Sequence, residues 1–274
     1  MVNLETFRSS DSAATSPPVL EFDHVGLEYL VNGKKQCIIE DISLTIAKGE
    51  FVSFVGPSGC GKTSILKMIS GLAPAPIGIV NYHGVPITKP IPNVGVAFQS
   101  PVLMPWRNVL QNVMLPLEIV QPYKKDFKTR KPEFEEMANE LLTTVGLEGS
   151  QKQFPWQLSG GMRQRASLCR ALIHQPELLL LDEPFGALDP FTREEMWGMM
   201  QSLWQRVKCT CVLITHDLRE AVFLSDTIYV MAPRPSSIIY KLKVNLPRPT
   251  TIEMMLSDEF YHLVADLRRH IRRY

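Results

Sequence analysis

Hydrophobic and polar positions follow two different periods along this chain, and together they predict strands interleaved with helices. Alternating positions between residues 19 and 46, broken by an Asn-Gly turn at 32–35, predict a β-hairpin. Further strands are predicted at residues 51–55, 77–82, 94–98, 178–181, 210–215 and 228–231, with a closing hairpin at 236–246. Apolar residues at helical spacing predict helices after residue 63 and at 133–145, 160–174, 190–207, 217–224 and 257–273. This alternation indicates an α/β fold.

Two stretches refine this picture. The run Leu178–Leu181 is continuously apolar, which is typical of a strand buried on both faces of a parallel sheet. Residues 100–159 carry no strand signal, and prolines separate their short helical pieces, so we expect a helical insertion in the core. The predicted organisation is a flexible tail over 1–18, a main domain over 19–250 with a helical subdomain inserted at about 100–160, and a C-terminal helix over 251–274.

Composition excludes several classes of protein. The chain has 274 residues, of which 45% are hydrophobic and 21% charged, as in ordinary soluble globular proteins. A net charge of +1 provides no general basic field for nucleic acid. No apolar run approaches the roughly 20 residues needed to span a bilayer. The five cysteines have no regular spacing, so we expect buried free thiols rather than a disulfide framework.

A glycine-rich turn between a predicted strand and a predicted helix carries the clearest chemistry. It has the G-x-x-x-x-G-K-[ST] pattern, and glycines there allow consecutive backbone N–H groups to point at phosphate oxygens. The N-terminus of the following helix adds the positive end of its dipole. The predicted phosphate-binding residues are Gly56, Pro57, Ser58, Gly59, Cys60, Gly61, Lys62, Thr63 and Ser64. Binding of a nucleoside triphosphate is therefore expected, with Thr63 also contacting Mg²⁺.

Polar residues follow three other predicted strands. Gln99, Asp182 and His216 each stand at or just after a strand end, and ligands of parallel α/β sheets bind outside the carboxyl ends of the strands. Asp182 is a candidate Mg²⁺ ligand. Glu183 follows it and is a candidate base for an attacking water. His216 is a candidate γ-phosphate contact, the alternative being a helix-capping or simply satisfied histidine.

A second helix start offers another anion site. Ser159, Gly160 and Gly161 combine a capping hydroxyl with free backbone N–H groups, although an ordinary N-cap would have the same sequence. Because the chain has only one phosphate loop, one arrangement that uses both sites is a head-to-tail homodimer. There the second helix start of one subunit closes over the nucleotide of the other.

In this order, the motifs resemble the ATPase subunit of an ATP-binding cassette (ABC) transporter. Residues 56–63 match its Walker A loop, 158–164 its signature motif and 178–182 its Walker B strand. The resemblance implies a P-loop NTPase (RecA-like) core with an N-terminal antiparallel β subdomain and an inserted α-helical subdomain. It further implies ATP and Mg²⁺ as cofactors, with Thr63, Gln99 and Asp182 on the metal. By the same resemblance, the catalytic residues are Glu183, His216 and Gln99, and Asp189 belongs to the D-loop. Tyr29 is expected to stack on adenine, the alternative being an ordinary strand tyrosine.

Residues 96–118 are similar to bacterial importers of the nitrate/sulfonate/taurine type, a branch that also includes importers of riboflavin and of the pyrimidine precursor of thiamine. In that family the region receives a helix of the membrane permease. Met104, Trp106 and Val109 are accordingly expected to be exposed there, unless they form the core of the insertion. The implied partners are a second ATPase subunit, transmembrane permease subunits and, through them, a solute-binding protein, with no nucleic acid. The implied location is the cytoplasmic face of the plasma (inner) membrane.

Three other hypotheses fit less well. A soluble cassette ATPase that acts on ribosomes or nucleic acid usually has two cassettes or a long coiled-coil insertion. A phosphate-loop kinase has no use for the signature motif, and a fused exporter needs membrane spans. Arginines at 268, 269, 272 and 273 could contact anionic headgroups, or they are a solvated helix end.

Overall fold

A computed structural model describes residues 17–31 and 33–272 of the chain. Its strands are β1 (Leu20–Val31), β2 (Lys34–Ile46), β3 (Phe51–Val55), β4 (Ile77–Tyr82), β5 (Val85–Pro86), β6 (Val94–Ala97), β7 (Leu178–Asp182), β8 (Thr210–Thr215), β9 (Thr227–Met231) and β10 (Ser236–Lys243). Its α-helices are α1 (Lys62–Ile69), α2 (Val109–Met114), α3 (Tyr123–Asp126), α4 (Lys131–Thr144), α5 (Gly160–Leu172), α6 (Pro190–Val207), α7 (Leu218–Leu224) and α8 (Asp258–Arg272).

The strands form a sheet in the order β5-β4-β1-β2-β10-β9-β3-β8-β7-β6. On one side, β1 pairs antiparallel with β2 and β4, which confirms the predicted hairpin; the turn residue Asn32 lies outside the described residues. On the other side, β9, β3, β8, β7 and β6 are all parallel. Strand β10 joins the two parts, because it runs antiparallel to β9 and parallel to β2.

The leucine run in β7 shows why an uninterrupted apolar strand is needed here. Leu179 and Leu181 pack into a core shared with the helical insertion and α5–α8. Leu178 and Leu180 pack on the opposite face, against α1 and the antiparallel strands. Since successive side chains of a strand point to opposite faces, both cores require apolar residues from the same strand.

Between β6 and α5 the chain is helical, as predicted, with α2, α3, α4 and two short 3₁₀ turns. For Val109 the structure selects the second of the two alternatives given above, and one local prediction, the closing hairpin, is wrong. Val109 is completely buried against the insertion's core, so it is not part of an exposed surface, whereas Trp106 is 71% exposed. Residues 236–246 were predicted to form a hairpin by themselves, but they contain the single strand β10. This strand pairs antiparallel with β9, and at the open end of the pair the Val244 N–H donates to the Asp226 carbonyl.

All five cysteines are free, and all but Cys37 are buried, as expected from the sequence. No helix in the described part of the chain is both long enough and apolar enough to cross a bilayer. The predicted tail lies outside the described residues, apart from Pro17 and Pro18.

The contact between β6 and α5 leaves no room for a side chain at Gly95. A Cβ there would lie 2.3 Å from the backbone oxygen of Ala171 and 3.0 Å from Leu179 Cδ1. We predict that Gly95→Ala lowers the free energy of unfolding by about 1–3 kcal/mol, because the helix and strand must separate. Chemical denaturation measures this change.

Gly198 provides the matched control. It lies within α6 with nothing near the position of an added Cβ, so Gly198→Ala should raise the free energy of unfolding by about 0.5–1 kcal/mol through helix propensity. Equal effects of the two substitutions would contradict the crowding inferred at Gly95.

Candidate active site

The glycine-rich turn lies between β3 and α1 and has the backbone shape of an anion cradle. Gly59 and Gly61 have φ angles of 79° and 106°, in the left-handed region that other residues rarely adopt. Gly61 is the N-cap of α1 and makes no side-chain cap, so the first N–H groups of the helix remain free for a ligand. The loop therefore presents backbone donors and a helix dipole to the same space.

Lys62 is buried at the centre of this loop. Its Nζ donates to the backbone oxygens of Gly56 and Pro57, each at 2.9 Å. Cys60 is also buried, with its Sγ 3.9 Å from Lys62 Nζ. Within the described residues no carboxylate forms a salt bridge with Lys62, which leaves its charge available to an anion.

Asp182 ends β7 beside the start of α1, and Thr63 Oγ1 donates to its Oδ1 at 3.4 Å. Burial raises the pKa of Asp182, and the nearby Glu183 charge adds to this effect. A divalent cation at this point would offset the cost of two close carboxylates. Hydroxyl and carboxylate oxygens are ligands that Mg²⁺ prefers beside phosphates, so these residues suit the ion.

Glu183 and His216 meet where β7 and β8 end. The Nδ1 atom of His216 lies 3.2 Å from Glu183 Oε2. Glu183 has a positive φ of 46°, and its N–H donates to the Ile214 oxygen at 2.8 Å. Backbone strain of this kind costs about 1–3 kcal/mol and occurs mainly at functional sites. It turns the Glu183 side chain away from the direction that the strand would give it.

Gln99 approaches from the end of β6. The point that a Cβ on Gly186 would occupy lies 3.6 Å from Gln99 Nε2 and 3.8 Å from Glu183 Oε2. The two side chains therefore flank the same backbone position. The structure thus brings together four predicted residues, Gln99, Asp182, Glu183 and His216, at the ends of neighbouring strands.

A cavity of about 240 Å³ lies over the phosphate loop. Tyr29, half-exposed on β1, lines it together with Lys62, Thr63 and Glu183. The predicted adenine-stacking residue thus lies at the same cavity as the phosphate loop. Ser58, Gly59, Gly61, Ser64, Ile38 and Arg234 also line this cavity.

The second helix start is separate from this cavity. Ser159 caps α5, because its Oγ accepts from the Met162 N–H at 3.2 Å. It therefore forms an ordinary N-cap, which the sequence analysis gave as the alternative to an anion site. With Gly160, Gly161 and Asp189 it lines another cavity, of about 420 Å³. Asp189 in turn caps α6 by accepting from the Thr192 N–H. The side chain of Thr192, together with this N–H, lowers the pKa of Asp189. One chain therefore does not bring both anion sites into one cavity.

Comparison with known families decides the identity of the chain. The model of the ABC transporter family matches residues 39–186, more than half of the chain. The chain belongs to the ABC transporter family. The predicted P-loop NTPase fold and the predicted ATP-binding and ATP-hydrolysing activity are confirmed.

Curated relatives in this family include taurine import ATP-binding proteins. The chain is 42% identical over 230 residues to the taurine import ATP-binding protein TauB of Escherichia coli, covering 84% of this chain and 86% of TauB. The TauB protein of Shigella flexneri is 41% identical over the same length. The prediction of an ABC importer ATPase is thereby confirmed over that of a soluble ABC ATPase acting on ribosomes or nucleic acid.

Among solved structures, the chain is similar to the dimeric ATP-binding cassette MJ0796 in a post-hydrolysis state bound to ADP and Pi. The TM-score is 0.69 with 27% identity, covering 83% of this chain and 100% of the other. A second dimeric structure of MJ0796, described as a bacterial ABC transporter cassette, matches equally well.

Sequence analysis of this ABC ATPase missed a buried support beneath His216. Glu220 of α7 is 2% exposed, and its Oε2 accepts from Thr215 Oγ1 at 2.7 Å. Thr215 Oγ1 accepts in turn from the Asp217 N–H at 3.0 Å. The residues on both sides of His216 are therefore held by one network. The spacing Asp217-x-x-Glu220 at a helix start was the available signal.

Burial raises the pKa of Glu220 to about 8, against 4.5 for an ordinary glutamate, and its Oε1 has no hydrogen-bond partner. The folded state therefore keeps a proton that the unfolded state releases. The contribution of Glu220 to the free energy of unfolding is complete below pH 4.5 and is lost as the pH rises towards 8.

We predict that Glu220→Gln, which is neutral at every pH, removes this dependence. Between pH 5 and 8 the wild type should lose on the order of 3 kcal/mol of unfolding free energy relative to the variant. Denaturant titrations at the two pH values measure it. Glu136→Gln, at an exposed position, should keep the wild-type profile. Parallel profiles for wild type and Glu220→Gln would contradict a buried, protonated carboxyl.

Proposed function

We propose that this chain energises the uptake of a small solute of the taurine and sulfonate class through a separate membrane permease. Its ATP site supports this most directly, because the ends of β3, β6, β7 and β8 place the phosphate loop, Gln99, Asp182, Glu183 and His216 together. The taurine import relatives favour a sulfonate over nitrate or a pyrimidine precursor as the solute.

ATP binds with its phosphates on residues 56–64, where the N–H groups of the loop and of α1 donate to them. Lys62 neutralises the outer phosphates from inside the loop, and Tyr29 stacks on adenine. Thr63, Asp182 and Gln99 are the residues that would hold Mg²⁺, which supplies positive charge to the phosphate oxygens when bound.

Hydrolysis depends on a water aligned with the bond to the γ-phosphate. Glu183 accepts the proton of this water, because its carboxylate is turned into the cavity and free of any bond to lysine or arginine among the described residues. His216 lies 3.2 Å from that carboxylate and orients it. In this arrangement His216 would also contact the γ-phosphate. Gln99, from the other side of Gly186, positions the water.

A second subunit completes the site. Ser159, Gly160, Gly161 and Asp189 line a cavity apart from the phosphate loop, so they serve nucleotide binding only when presented by another chain. A head-to-tail pair with twofold symmetry uses both surfaces twice. The dimeric state of the similar MJ0796 cassette supports this arrangement.

The permease contact follows from exposed apolar residues beside Gln99. Phe98, Val102 and Trp106 are 41%, 57% and 71% exposed; Phe98 directly follows β6, and the other two lie in the segment between β6 and α2. Apolar residues next to Gln99, which positions the attacking water, would transmit closure of the dimer to a bound permease helix. We place the subunit at the cytoplasmic face of the membrane, linked to a solute-binding protein only through the permease, with no role for nucleic acid.

We predict that Glu183→Gln leaves ATP binding intact, lowers turnover at least about 100-fold and accumulates an ATP-bound dimer, because the water loses its base. Phosphate release and gel filtration with ATP measure the two effects. The exposed Glu148→Gln should behave as wild type. Wild-type turnover in Glu183→Gln would exclude Glu183 as the base.

We predict that Trp106→Ala weakens permease binding about tenfold or more and abolishes ATP-driven uptake in the reconstituted transporter, since buried tryptophans dominate interface energies. ATP hydrolysis by the isolated subunit should stay unchanged. Leu256→Ala removes another highly exposed apolar side chain, on a 3₁₀ turn before α8, and should leave uptake intact. Normal uptake in Trp106→Ala would remove this patch from the permease interface.

A further inference from the structure

The segment after β9 runs along the phosphate loop. Strands β3 and β9 are parallel neighbours with Val55 opposite Val230, so the chain leaving β9 starts beside the chain leaving β3. A Cβ added to Gly56 would lie 2.8 Å from the Met231 oxygen. The segment therefore packs against the first residue of the loop, and a second contact lies at the apex of the loop, Gly59.

Arg234 makes the contact at the apex. Its Nε donates to the Gly59 oxygen at 2.5 Å, and its Nη2 lies 3.3 Å from the point that a Cβ on Gly59 would occupy. Its side chain lines the same cavity as Tyr29, Lys62 and Glu183. The guanidinium is therefore part of the wall of the nucleotide cavity, although it comes from a distant part of the sequence.

The charge of Arg234 has no counterion among the described residues, since no carboxylate lies within salt-bridge distance of it. Three other arginines show the contrast, because Arg107, Arg193 and Arg248 each contact an acidic residue. In the part of the chain that the structure describes, the Nε bond is also the only hydrogen bond of the Arg234 guanidinium. Its Nη1 and Nη2 donors thus remain available to a ligand.

A guanidinium whose position is set by Nε and whose other edge is free matches a phosphate group well. Its planar fork donates two parallel bonds to phosphate oxygens, and such charge-assisted bonds are about twice as strong as neutral ones. The cavity beside it is also lined by the phosphate loop and by Lys62. The ligand chemistry that fits this wall is a nucleoside polyphosphate.

We infer that Arg234 is a nucleotide-binding residue, which donates from Nη1 and Nη2 to phosphate oxygens of ATP while its Nε holds the apex of the loop. This inference rests on the proposed placement of ATP on residues 56–64. It adds a second cation to that site, supplied by the turn between β9 and β10 and unrelated to the glycine-rich motif.

The test titrates MgATP into the full-length chain by calorimetry at low and high ionic strength. Arg234→Gln should lower ATP affinity about tenfold at low salt, and the loss should shrink at high salt because the lost interaction is Coulombic. Arg234→Lys, which keeps the charge without the fork, should lose only about threefold. Melting temperatures without nucleotide should stay within about 2 °C of wild type.

Two controls separate the inference from the proposed site. Lys62→Ala must lose ATP affinity if residues 56–64 hold the phosphates, and wild-type affinity there would overturn the site itself. Arg268→Gln, at an exposed position on α8, should bind ATP as wild type does. If Lys62→Ala loses ATP affinity while Arg234→Gln binds ATP within about twofold of wild type, the inference is overturned. Equal losses in Arg234→Gln and Arg234→Lys, with a lowered melting temperature, would also overturn it, because Arg234 would then only brace the loop.

Discussion

The register of three parallel strands determines where the chemistry of this protein lies. Val55 of β3 is opposite Thr215 of β8, and Asp182 of β7 is opposite Ile214 of the same strand. Because all three strands run in one direction, their carboxyl ends form one edge, and every residue that follows them emerges at that edge. The phosphate loop, the two carboxylates and His216 are neighbours for this reason alone.

This register can be held only by strands that are apolar on both faces. Burial beside these strands also raises the pKa values of acidic groups around the site. Asp182 and Glu220 both have pKa values raised first by burial. Asp182 accepts from Thr63, which lines the cavity, and a cation there can compensate its charge. Glu220 lies beneath it and is compensated by keeping its proton and accepting from Thr215. Asp182 is thus suited to binding a ligand, whereas Glu220 supports the residues on both sides of His216.

Much of this arrangement could be predicted from the sequence, because it is encoded locally. The glycine-rich turn, the leucine run before Asp182 and the strand before His216 are each complete within about ten residues. Whether Val109 is buried could not be decided from the sequence, because its burial depends on α4 and α5, which are distant in sequence. Arg234 was missed for the same reason, since its partner Gly59 lies 175 positions away. Propensity and periodicity carry no information about such pairs.

Strand β10 joins the antiparallel part of the sheet to the parallel part through only two paired positions with β2, Ser236 with Ile39 and Ser237 with Asp41. Tyr29 belongs to the antiparallel part and Lys62 to the parallel part. A nucleotide that extends from one to the other therefore bridges two parts that also share one hydrophobic core. ATP and ADP differ at the end of the nucleotide that rests on the phosphate loop, so each turnover would change its hold on the parallel part and leave its contact with Tyr29 as it was.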